Sequence, residues 1–78
     1  MTIREEVLAE IENELDLMLA DAQESVSQST RTTTKTEALA YAKRVLDSLS
    51  SAELQSEGAR QRFLLTTVRD AERRMRGF

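Results

Sequence analysis

The segment Thr30-Arg31-Thr32-Thr33-Thr34-Lys35-Thr36 gathers two cations and a row of hydroxyls, the side chains in this sequence best suited to grip an anion. If a helix begins at its far end, the unpaired first amides and the positive end of the helix dipole add to the attraction. Arg31, Thr33, Thr34, Lys35 and Thr36 are therefore the candidate anion-binding set, for a phosphate or a nucleotide. Arginines from a neighbouring subunit would supply bidentate contacts. The competing reading is a solvated linker in which Thr34 does no more than cap.

Carboxylates form a second pattern. Glu6, Glu10 and Glu14 recur at i, i+4, i+8, with Glu12 and Asp16 beside them. Oxygen-rich ladders suit hard cations, and a di-iron bundle would need Glu-x-x-His pairs. The chain has no histidine, and these acids lie off the apolar stripe, so they read as a solvated face and no metal ligand is assigned. Such a face can also imitate a nucleic-acid backbone in another protein's basic groove.

The third pattern is basic. Arg60, Arg62, Arg69, Arg73, Arg74 and Arg76 fall in the last 19 residues, opposed only by Asp70 and Glu72. Phosphate contact is one use for them. Nucleic acid is nevertheless disfavoured as the partner, because the net charge is −3 and no aromatic platform accompanies the arginines. Arg69, Arg73 and Arg76, at i, i+4, i+7, suit a partner's carboxylates equally well. With the off-stripe residues Leu17 and Phe63 they make the candidate partner-binding set.

Catalysis has little to work with. The absence of Cys and His removes thiolate nucleophiles, imidazole bases and thiolate or imidazole metal sites. Acid–base chemistry by Asp, Glu, Lys or Tyr41 would need a water-poor pocket. Of 31 apolar residues nine are alanine, and the remaining 22 barely furnish a core. There is no glycine-rich phosphate loop and no nucleophile motif. The expectation is a non-enzyme with no catalytic residue and no cofactor.

The elements that must carry these groups are all helical. At 78 residues and 8.8 kDa the chain has room for one domain, residues 1–78. No apolar run approaches the ~20 residues that span a bilayer, and no secretory signal opens the chain, which points to the cytoplasm. Residues 1–30 carry eight acids and one base, whereas residues 31–78 carry ten bases and six acids. An acidic first element and a basic last one can attract each other, within a chain or between chains.

Three amphipathic segments are expected, about 3–26, 35–49 and 51–76, in an antiparallel bundle. The first opens on the capping-box pattern Thr2-x-x-Glu5 and carries Val7, Leu8, Ile11, Leu15, Met18, Leu19, Ala22 and Val26 on one face. Ser and Thr then dominate residues 25–36, and their habit of competing for backbone hydrogen bonds marks 28–33 as a loop. The second helix starts at Thr34-x-x-Glu37, with Ala38, Leu39, Ala42, Val45, Leu46 and Leu49 inward. Ser50-x-x-Glu53, bracketed by Leu49 and Leu54, is a capping box with a hydrophobic staple. The third carries Leu54, Leu64, Leu65, Val68, Ala71 and Met75, is weakened at Gly58 and stops at Gly77.

On these boundaries the second helix spans about 22 Å and its neighbours about 36–39 Å. The long helices would have uncovered apolar turns, and Leu17 and Phe63 would need a second surface. Self-association is the expected remedy, with Val7, Ile11, Leu15, Met18, Leu39, Leu46, Leu65, Val68 and Met75 as central contacts. The functional expectation is an oligomeric binding protein, accessory, regulatory or inhibitory, of a size that phages encode, working on a protein partner. The alternatives are a sequestering protein for a small anion such as a nucleotide, and a nucleic-acid regulator using the terminal arginines.

Overall fold

The computed structural model describes residues 2–77. Four α-helices follow one another, α1 (Ile3–Asp21), α2 (Gln28–Ser48), α3 (Ser51–Gln55) and α4 (Glu57–Arg76), with no strand among the described residues. The three long helices each touch the other two, and short α3 packs on α1 and α4.

Two of the three expected capping boxes form. Thr2 Oγ1 accepts from the Glu5 amide at 3.2 Å and Ser50 Oγ from the Glu53 amide at 3.2 Å, each glutamate reaching back to the cap. The third does not. Thr34 lies well inside α2, which begins at Gln28, so the loop expected over 28–33 is helix. The physical reason is Ser27. Its hydroxyl accepts from the Thr30 amide at 3.3 Å and caps the helix a full two turns early. The threonines beyond it turn their hydroxyls back onto their own helix: Thr34 Oγ1 donates to Thr30 O at 2.8 Å and Thr36 Oγ1 to Thr32 O at 3.0 Å. Side chains that compete with a helix from outside can thus be absorbed within it.

The early cap also shortens the first helix, which ends at Asp21 rather than 26. Ala22 closes it, and Ser25 and Val26 both donate backbone hydrogen bonds to Ala22 O, so the chain turns there. At 19, 21 and 20 residues the long helices are of matched length, about 28–32 Å. The expected mismatch in span, and the argument for self-association built on it, therefore falls away.

The last segment is two helices. The break is at Ser56, not at Gly58, because Ser56 offers a new N-cap, its Oγ accepting from the Ala59 amide at 3.4 Å. Leu54, only 1% exposed, is thereby driven into the core by α3 independently of the phase of α4. Gly77, at φ +79°, ends α4 in the left-handed conformation that favours glycine.

Val7, Ile11, Leu15, Met18 and Leu46 are buried as their spacing predicts, with Leu39, Val68 and Met75 packed around them. Two assignments on α4 are corrected. Leu65 is half exposed, and Phe63 packs against the core. The inward face runs through Phe63, Leu64, Thr67, Val68, Ala71 and Met75, a regular i, i+4, i+8 pattern once Leu54 no longer sets its phase. A buried polar residue, Thr67, hides this face from hydropathy.

Candidate interaction surfaces

The candidate anion set is distributed around α2 rather than gathered at its start. Arg31 Nε donates to Val26 O at 3.2 Å, closing the turn before the helix. Lys35 Nζ lies 2.8 Å from Asp16 Oδ1, tying α2 to α1. The hydrogen bond to that carboxylate raises the lysine pKa above its usual 10.5. Thr34 is buried, Thr33 is exposed, and Thr36 bonds back to Thr32. Arg31, Lys35 and Thr36 do border one shallow groove, with Asp16 on its wall. Both cations are thus engaged, and Arg31, the first of these residues, already donates its amide to Ser27 O at 3.0 Å.

One contact between helices escaped the sequence reading. Arg4, the lone base of the first 30 residues, donates through Nε to Leu46 O at 3.2 Å and through Nη2 to Leu49 O at 2.8 Å. These are end carbonyls of α2, which has no basic residue in its own last turn. A cation from α1 therefore complements the negative end of α2. Its isolation among eight acids was the available signal.

On α1, Asp16 marks the flank turned to α2. At 100° per residue Glu6, Glu10, Glu14, Leu17 and Asp21 line the other flank, all exposed, with Leu17 62% accessible. None of these acids is in an ion pair among the described residues, and no group of acids there is disposed to hold a metal ion.

On α4, Thr67, Asp70 and Arg74 border a cavity of about 20 Å³ shared with Thr34 and Tyr41 of α2. Leu65 and Arg69 lie on the opposite flank, beside α1, with Arg62 and Arg73 facing outward between. All four are exposed, Leu65 by 50%. Arg74 and Arg76 pair within the helix, at 3.2 Å to Asp70 and 3.5 Å to Glu72. Arg76 also reaches Ser25 Oγ at 3.4 Å. Arg62, Arg69 and Arg73 have no acidic partner among the described residues. Leu17 and Leu65 consequently edge one long face of the molecule, acidic along α1 and basic along α4.

A separate apolar groove of about 290 Å³ opens between α2, α3 and α4, walled by Val45, Leu49, Leu54 and Phe63. Arg60 borders it, with its Nε buried and without an acceptor among the described residues. Phe63 thus serves this groove and the core, apart from the face that holds Leu17. No helix of the described residues is long and apolar enough to cross a membrane.

Comparisons with protein-family models, with curated proteins and with solved structures return no match for this chain, so its surfaces are judged on their own chemistry.

Proposed function

We propose that this chain is a non-enzymatic, self-associating helical binding protein that acts through macromolecular contact. The observation that carries the reading is the pair of exposed faces of opposite charge on α1 and α4, each with one large exposed leucine and neither neutralised among the described residues. Charged groups left free beside an apolar contact favour a partner of complementary charge.

The three long helices run alternately up and down in this reading. Arg4, at the start of α1, touches the end of α2, and Lys35, early in α2, touches Asp16 near the end of α1. Arg76, at the end of α4, meets Ser25 in the turn after α1, so α4 is parallel to α1. These contacts support an antiparallel three-helix bundle with α3 as a short strap.

Light scattering at low ionic strength tests the reading. A mass above 8.8 kDa that falls toward 8.8 kDa as salt is added is the expected result. A mass of 8.8 kDa at every concentration removes self-association.

A second reading has one observation in its favour: Arg62, Arg69 and Arg73 are exposed along one side of α4, as phosphate contacts would require. Retention on a duplex DNA column at low salt supports it, and passage straight through ends it.

A further inference from the structure

We propose that the partner is a second copy of this chain, docked so that α1 of each protomer lies along α4 of the other. The inference rests on the reading of the charged faces given above and adds the occupant and its orientation.

Three observations point to it. The first is level. The contact from Arg76 to Ser25 sets the end of α4 beside the turn after α1, and the two helices run in the same direction. At about 1.5 Å per residue, Arg62, Arg69 and Arg73 then stand within one turn of Glu10, Leu17 and Asp21 respectively. A twofold axis parallel to the helices preserves that level while it exchanges α1 with α4. It brings Arg62 to Glu10 of the other protomer, Arg69 to Glu14 and Leu17, and Arg73 to Asp21.

The second is sign. A twofold axis across the helices would lay α1 on α1 and set Glu6, Glu10 and Glu14 against their own copies. Like charges directly opposed are costly, so the charge pattern selects one symmetric arrangement and rejects the other. The third is area. The molecule measures 39 × 21 × 18 Å, and one long face offers about 800 Å² per partner, the size of an ordinary specific interface. Leu17 and Leu65 provide its apolar strip.

The test uses the whole chain and four exposed positions whose replacement leaves the core untouched. Wild type, Arg62→Glu/Arg69→Glu, Glu10→Arg/Glu14→Arg, and an equimolar mixture of the two variants are weighed by sedimentation equilibrium at low salt, with helicity followed by circular dichroism. The first variant sets acids at 62 and 69 opposite Glu10 and Glu14, and the second sets arginines at 10 and 14 opposite Arg62 and Arg69, so only unlike chains restore these pairs.

The expected result is a wild type of twice 8.8 kDa, two helical variants of 8.8 kDa, and a mixture that regains the double mass. Arg69→Gln/Arg73→Gln, a milder probe, should weaken the wild-type association about tenfold. If wild type associates and the charge-reversed variants associate equally well, this docking is overturned while self-association stands. The docking also fails if wild type associates and the mixture stays at 8.8 kDa. A wild type of 8.8 kDa throughout overturns the docking and self-association together.

Discussion

Lys35 and Thr67 show how differently two polar side chains can be treated on neighbouring helices. Lys35 holds Asp16 at 2.8 Å, and that hydrogen bond favours the charged amine, raising its pKa. A group whose pKa is raised by folding stabilises the fold fully below its unfolded value and ceases to do so as pH climbs through the folded one. The difference in thermal midpoint between wild type and Lys35→Met should therefore stay constant from neutrality to pH 10.5 and close above it. Thr67, 2% exposed, has a hydroxyl with no hydrogen-bond partner among the described residues. An unmade buried hydrogen bond costs more than the hydroxyl returns. Thr67→Val should raise the urea midpoint, by about 1 kcal/mol of stability; a loss of that size would show that the hydroxyl is bonded, for instance to a water in the adjoining cavity.

Among the elements, α2 has the least expected composition, since five of its first seven residues are Ser or Thr. It exists there because Ser27 starts it and because Thr34 and Thr36 return their hydroxyls to the backbone. Ser27→Ala should cost about 1 kcal/mol. Amide exchange should speed up over residues 28–31 while the far end of α2, held by Arg4, stays protected. The split at Ser56 makes a second contrast testable. Leu54, on α3, is fully buried, and its truncation to alanine should cost about 2–5 kcal/mol. Leu65, half exposed on α4, should cost under about 0.5 kcal/mol in the dilute monomer. Chemical denaturation of both variants checks the pair.

At the scale of the whole molecule, α1, α2 and α4 are of nearly equal length and bury a shared core where they meet. Association, in the reading proposed here, depends instead on charges that the fold leaves outside. It should weaken steeply with salt, because exposed pairs are screened within about 8–10 Å at ordinary ionic strength. An association unchanged between low and high salt would point to a purely apolar contact.

The all-helical class, two capping boxes, the glycine stop and the apolar stripe of α1 were open to reading in the sequence, because each depends on residues three or four positions apart. The acidic and basic faces were visible for the same reason. The helical state of residues 28–33 was not, since a serine cap and inward-folded threonines look like loop composition until the backbone is seen. Nor was the phase of α4, where Leu65 drew the stripe to the wrong side while buried Thr67 left it unmarked. Which charges are consumed between helices was decided by tertiary structure, whereas Arg74–Asp70 and Arg76–Glu72 pair locally along α4. Lys35 finds Asp16, 19 residues away, and Arg4 finds the end of α2, 42 and 45 residues away, only when α1 and α2 are brought side by side, and no local pattern encodes that contact.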